Sequence, residues 1–565
     1  MNRFTRIPVH HPKFQRTCLG RAIGLLLAGV FSLNALEAEA ENNAVDPPAE
    51  DFDPPSTAAT MVAASYLDIA MQASEDAPRV FASRLLGAPA PIIVNSADGI
   101  GISGAGAHDD ASVNLGAARA SGVLAEAGSS LGFVRGSVGS SALTAVNANG
   151  QTGLLARDNS QLSGSGVTVS LVPKASNGIA VTASNLTGVA ARTGGQVSLR
   201  DSAITLGGGV NGQSNHGLVA SGAGSRLEFA GGSVSSLSKG SIGALAEGGG
   251  HLSLSQGSAI SVTGASSTST ASHGLKATGS GSRIDASDIS VTSSGVAASG
   301  ARAEDGAHIQ LDRSIFTSTG AATSTSSTAV LHALGGASIV ADGVNASASG
   351  NYMGGVRAEG SASQVSLSNG SLAVKGAGIA TDFASAAQAM GGGAINIEGS
   401  VLSSQGTYSH GVSVEGSGSR ADVDSTRIDV TGNRAHGLYV TAGASAGVSD
   451  SHISLGTVAG AAGPWGIGAL VEGAGSRLQL DDSEVRTTQK TSFGVRALAG
   501  AQLELNNGLI DTQGNYSTGL SAGSSTVVAR NLTVHTSGND NAMGVLADTA
   551  ATVTLYGGAV STLVP

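Results

Sequence analysis

The chain has 565 residues, 41% hydrophobic, 12% charged and 3% aromatic, with 84 glycines and a formal net charge of −11. Disordered chains are poor in hydrophobes and rich in charge, so this composition excludes one, and it equally excludes a conventional aromatic core. With the +3 of residues 1–40 set aside the rest carries −14, which argues against nucleic acid as a partner and against electrostatic docking on anionic lipid.

The N-terminus reads as an address. Arg3, Arg6, Lys13, Arg16 and Arg21 form a long basic region, Ala22 to Leu36 is an apolar run, and Ala38 and Ala40 offer small residues for cleavage after Ala40. This is the pattern of a secretory signal peptide over 1–40, and the run is short for a membrane span. The single cysteine, Cys18, lies in this leader. The mature chain therefore has no disulfide and no thiolate metal site. Residues 41–60 are Pro-rich and acidic and read as a linker. Residues 61–110 read as an N-terminal capping region, with a short amphipathic helix over 61–73 covering an otherwise open strand edge.

From residue 111 to 565 the chain is periodic. Residues 216–228, 273–285 and 410–422 read "HGLVASGAGSRLE", "HGLKATGSGSRID" and "HGVSVEGSGSRAD". In its loose form, G-x-x-A followed by an aliphatic, the phrase starts at Gly122, Gly153, Gly188, Gly217, Gly243, Gly274, Gly300, Gly355, Gly411, Gly437, Gly468, Gly494, Gly519 and Gly544. Val330 and Ala386 fill the two gaps, giving 16 anchors 25 to 35 residues apart. After each anchor, apolar and polar residues alternate, meet a Gly/Asn/Asp/Ser turn, and alternate again. That pattern predicts short strands joined by turns. One unit buries too few aliphatics to offset the entropy of ordering it, so units must stack and share an interior. The expected fold is all-β: a right-handed parallel β-helix of about 16 coils, on the order of 75 Å long at ~4.8 Å per coil.

Two patterns support in-register stacking. The residue four after the anchor is acidic at Glu126, Glu247, Glu304, Glu359, Glu415, Glu472 and Asp548, never on adjacent units. Like charges repel at the spacing of neighbouring strands, so this alternation is the expected signature; Arg157 and Arg192 break it. Tyr352, Phe383, Tyr408, Trp465 and Tyr516 each lie three residues before an anchor. They read as a ladder of rings along one corner, or as an exposed platform for sugar rings. Insertions also concentrate just before the anchors, which places Lys174, Phe383 and Trp465 in corner loops. These six residues form the candidate binding corner.

Catalytic and metal motifs are absent: there is no G-x-S-x-G, H-E-x-x-H, Walker loop or calcium nonapeptide. The His-Gly pairs at His216, His273, His410 and His436 share one phase and read as corner-stacked or turn-forming histidines. Acidic clusters at His108, Asp109 and Asp110, at Asp422 and Asp424, and at Asp481 and Asp482 are the candidate carboxylate sites. Asp481 and Asp482 sit at the turn equivalent to Asn506 and Asn507, which turn chemistry explains, and the alternation of acids looks like avoidance of clustering. No enzyme activity, cofactor or metal is expected.

The basic leader, the cysteine-free mature chain and units such as "GVRAEGSASQVSLSNGSL" (355–372) and "GALVEGAGSRLQLDDSEV" (468–485) resemble the passenger domain of bacterial autotransporters, specifically the pertactin-like group, over about 111–565. The resemblance implies a right-handed parallel β-helix displayed at the outer surface as an adhesin or virulence factor. It also implies a host-cell or matrix receptor, or a glycan, as partner of a monomer. An Arg-Gly-Asp triplet is absent, so integrin binding by that route does not carry over. Nothing in this sequence resembles the outer-membrane translocator barrel expected as its partner: either a separate polypeptide exports the chain or the sequence is a shortened reading frame or excerpt. The competing readings are a β-helical polysaccharide-degrading enzyme and a passive surface spacer.

Overall fold

The computed structural model describes residues 90–140, 148–173, 183–207, 213–264, 271–324, 327–456 and 466–563. The leader, the linker, the helix expected over 61–73, Lys174 and Trp465 lie outside them. The described residues all belong to one compact unit, 64–565.

Every regular element among the described residues is a strand. Three strands make a coil; one coil holds Met353–Glu359, Gln364–Ser368 and Ser371–Val374. Each pairs in parallel with its counterpart one coil behind and one coil ahead, so the chain is a β-solenoid with three sheet faces. The first face runs from Ile100–Ser103 to Met543–Ala547. All 16 anchors sit in or just before one of its strands. The solenoid is already under way at Ile92, because Ile92–Val94 pairs with Ser112–Leu115; residues 92–109, read above as cap, therefore belong to it.

The interior is a set of aliphatic columns. On the second face Leu252, Ile284, Ile309, Ile339, Val365 and Ile395 stack rung upon rung, each 2% exposed or less. Side chains of this size contribute ~1.5–3 kcal/mol each on burial. Phe133, Phe229 and Phe316 are also fully buried, in phases unrelated to the corner aromatics.

The repeated phrase has a physical cause at two positions. Its serine closes the turn between the first two faces. Ser225, Ser363 and Ser419 donate to the carbonyl four residues back at 2.7, 2.7 and 2.6 Å. The same Oγ atoms accept the turn N–H of the preceding coil, from Gly194, Gly336 and Gly392 at 3.1, 3.0 and 2.9 Å. Buried backbone donors are thereby satisfied between coils.

The anchor glycine is dictated by space. A Cβ on Gly243, Gly411 or Gly494 would lie 2.3 Å from Cγ2 of Ile260, Ile428 or Ile510 on the third face, and 2.5 to 2.6 Å from the next anchor's carbonyl oxygen. The two anchors that are not glycine obey the same rule. The third-face column reads Ile260, Val291, Phe316, Ala346, Leu372, Leu402 and Ile428 in register. Where Val330 replaces the glycine, Ala346 stands at the facing position. Where Ala386 does, Leu402 stands there, and leucine carries no branch at Cβ. Volume is conserved across the core.

Candidate functional site

Alternate residues of the first face point outward and form columns. The column four after the anchor runs Glu247, Thr278, Glu304, Leu334, Glu359, Met390, Glu415, Thr441 and Glu472. The acids thus occupy alternate rungs of one ladder, as their spacing predicts. The exception is resolved locally: Arg157 Nη2 lies 2.7 Å from Glu126 Oε2 on the coil before it.

The column two after the anchor changes character along the solenoid. Its first five members, Leu124, Leu155, Ala190, Val219 and Leu245, are apolar, buried, and separate from the main core. The next four are Lys276, Arg302, His332 and Arg357. Gln388, Ser413 and Tyr439 follow. The four basic rungs went unread in the sequence. Their signal was present: basic residues two after four successive anchors, legible by the alignment that exposes the acids.

These rungs line a groove of about 610 Å³ with Ile242, His273, Glu304, Thr328, Leu334 and Glu359. Lys276 Nζ lies 2.9 Å from Glu304 Oε2, and Arg302 also bonds that carboxylate. Burial alone would raise the Glu304 pKa, but the two cations outweigh it and hold the group at about 2. His332 is buried; Arg302 Nη1 and Thr328 Oγ1 lie 3.3 and 3.2 Å from its Nδ1, and its Nε2 lies 3.1 Å from Glu359 Oε2. This network assigns a neutral imidazole with its proton on Nε2. Burial, reinforced by Arg302 and Arg357, lowers its pKa to about 4. The bond from His332, with Arg357 beside it, holds Glu359 at about 2. Arg357 is 6% exposed. Its Nη1 donates to Ser327 Oγ at 2.5 Å and its Nη2 approaches Met390 Sδ at 2.6 Å. Its Nε, although 3.2 Å from Glu359 Oε2, is not aligned for a hydrogen bond and has no other partner.

The structure separates the candidate binding corner. The position three before the anchor is a turn residue with left-handed backbone at Arg119, Asn185, Arg434, Thr491 and Asn541, and at Tyr352, Tyr408 and Tyr516, with φ of 57°, 51° and 57° for the tyrosines. Their shared phase therefore reflects the turn. Among the described residues these rings do not stack on one another. Tyr352 packs against the core. Tyr408 accepts from Arg434 Nη1 at 2.6 Å, with that guanidinium 5.7 Å from its ring centre. Tyr516 is 44% exposed with Lys490 Nζ 5.4 Å from its ring centre.

Phe383 is buried outside the main core, just after the tight antiparallel turn in which Ile379 and Asp382 pair. It meets His410 edge-on at 4.3 Å and Tyr439 at 5.3 Å. His410 and His436 stack at 4.8 Å, as corner-stacked histidines on neighbouring coils should. Each also does backbone work. His273, His410 and His436 accept at Nδ1 the N–H of Ser299, His436 and Ile467 at 3.3, 2.9 and 3.1 Å.

The acidic clusters sit in turns and ladders. Asp110 forms a two-pronged pair with Arg135 at 2.8 and 2.9 Å. Asp424 accepts from Ser449 at 2.5 Å, Asp422 pairs with Arg420 at 2.7 Å, and Asp481 accepts from Asn506 at 2.7 Å.

No family model and no curated protein matches the sequence. Among solved structures, the chain is similar to one in the cryo-EM structure of the Vag8–C1 inhibitor complex, at 15% identity and a TM-score of 0.38, over 80% of this chain and 99% of that one.

Proposed function

We propose that this β-solenoid is the passenger of an exported, pertactin-like adhesin or surface virulence factor, one that acts by binding rather than catalysis. The leader would carry it out of the cytoplasm and an outer-membrane barrel would display it. A stiff solenoid presents side chains at regular steps, so several weak contacts with a host-cell or matrix receptor add through effective concentration.

The observation that carries this reading is Tyr516. A bulky residue at φ 57° costs ~1–2 kcal/mol, and Asn185 and Asn541 show that the same turn accepts asparagine. The ring stays 44% exposed beside Lys490, so a surface role explains its presence. Tyr408 repeats the arrangement with Arg434.

Saturable binding of the exported protein to epithelial cells tests the proposal; a folded solenoid that shows none leaves the spacer reading. Tyr516→Asn is expected to raise local stability by about 1 kcal/mol and to weaken cell binding. Unchanged binding would assign the tyrosine no part in it.

A further inference from the structure

The four basic rungs are not required by the fold. In the five preceding coils the same column is filled by Leu, Ala and Val, which stack without any charge to desolvate. An ion-pair network buried in place of apolar side chains commonly adds no net stability. Here it carries a visible cost, for burial lowers the Arg357 pKa and leaves its Nε without a hydrogen-bond partner. A guanidinium more than nine-tenths buried, lining a groove beside Lys276 and Arg302 where the earlier coils stack apolar side chains, is what a ligand site keeps and a scaffold discards.

We propose that the groove formed by Lys276, Arg302, His332 and Arg357 binds an acidic oligosaccharide carrying one carboxylate on its terminal unit. The proposal rests on the adhesin reading above and names its ligand. Charge selects the class. Lys276, Arg302 and Arg357 face Glu304 and Glu359 in the groove lining, a balance of one positive charge with the buried imidazoles neutral. A sulfated polymer or a polyphosphate would bring far more negative charge than that and meet the two glutamates.

Hydrogen bonding refines it. Glu304 and Glu359 are acceptors held ionised, suited to sugar hydroxyls, while Arg302 and Lys276 offer the donors a carboxylate needs. Ile242 and Leu334 supply apolar wall for the C–H face of a ring. The groove has a direction. Asp382 and Glu415 lie close enough to act on Arg357 electrostatically, so the carboxylate belongs at the Lys276–Arg302 end and the neutral hydroxyls at the Arg357–Glu359 end. A volume of about 610 Å³ is within the range of small-molecule sites and holds two or three sugar units.

Calorimetric titration of the exported full chain with a sialylated trisaccharide and with a digalacturonate, each against neutral lactose, is the test. Saturable binding of an acidic sugar, at least tenfold weaker for lactose and weakened by salt, is expected. Arg302→Gln and Lys276→Met should each reduce it tenfold or more with an unchanged circular dichroism spectrum. Arg357→Leu, which matches the earlier coils, should remove binding while leaving thermal stability equal or higher. Equal affinity for lactose, failure of both acidic sugars to bind, or full binding in these variants would overturn the proposal. Cell adhesion separates it from the broader reading. Adhesion that survives loss of the groove rejects the groove alone, whereas sugar binding without cell adhesion rejects the adhesin and keeps the site.

Discussion

Gly494→Val is expected to divide the solenoid. The glycine backbone there is not in the left-handed region, so valine is conformationally acceptable and the effect is one of volume. Its Cβ would lie 2.3 Å from Ile510 Cγ2 and 2.6 Å from the Gly519 carbonyl oxygen, with Thr512 Cγ2 at 3.1 Å. Overpacking of this kind costs ~1–3 kcal/mol, occasionally more, and here one obstacle is backbone that cannot rotate away. Each coil contacts only its neighbours, and solenoid stability is a sum of repeat and interface terms. The loss is therefore local to the coils around residue 494. Limited proteolysis should show new cleavage between about residues 490 and 520 with protected material on either side. Thermal unfolding should separate into two steps.

The Val330–Ala346 coil supplies the internal control. Gly494→Val combined with Ile510→Ala reproduces that pairing and should recover part of the protection. Recovery stays incomplete because the Gly519 carbonyl is still close. Protection in the single variant equal to that of the parent, or a double variant more fragile than the single, would reject the volume argument.

The register of the first face was legible because two unrelated signals, the anchor glycine and the alternating acids, share one phase, and a slip by one residue would destroy both. The tyrosines were legible in phase and misleading in meaning. Their shared position marks a left-handed turn, and a phase cannot say whether a ring at a turn stacks, packs down as Tyr352 does, or stands out as Tyr516 does. Phe383 shares the phase but belongs to a connection five residues longer than those of the neighbouring coils, and it meets His410 instead. The basic rungs were missed for a different reason. Lys276, Arg302, His332 and Arg357 differ in type, so no repeated letter marks them, and they become one feature only when the outward face is known. The histidines' Nδ1 bonds were beyond sequence altogether, because they depend on which side of the ring meets the next coil's backbone.

Acid should weaken the solenoid around His410 and His436. Burial drives the His410 pKa well below its ordinary value, with His436 adding to the effect, and burial brings His436 to about 4. In the unfolded chain both titrate near 6.5. Between these values the unfolded chain binds more protons, so stability is fully present above about pH 6.5 and is lost as pH falls toward 4. For the His436 shift the loss at pH 5 is ~2 kcal/mol, and His410 adds to it in the same direction. The loss is concentrated where the two rings stack at 4.8 Å against Phe383 and Tyr439, with Glu472 bonded to the Tyr439 hydroxyl. Protonation would also convert Nδ1 from acceptor to donor and break the bonds from the His436 and Ile467 N–H groups. Amide exchange compared at pH 7.5 and 5, after correction for intrinsic rates, should show protection falling about tenfold or more in coils 383–472 and far less in coils 100–160, where the same column holds Ile100, Ser121 and Thr152. Asparagine in place of both histidines keeps an acceptor oxygen near the Nδ1 position and removes the titration. The double variant His410→Asn/His436→Asn should therefore lose protection less steeply between these pH values, even if it starts lower. A parallel pH profile in that variant would place the acid sensitivity elsewhere, at the buried His332 of the groove, which is also held at about 4.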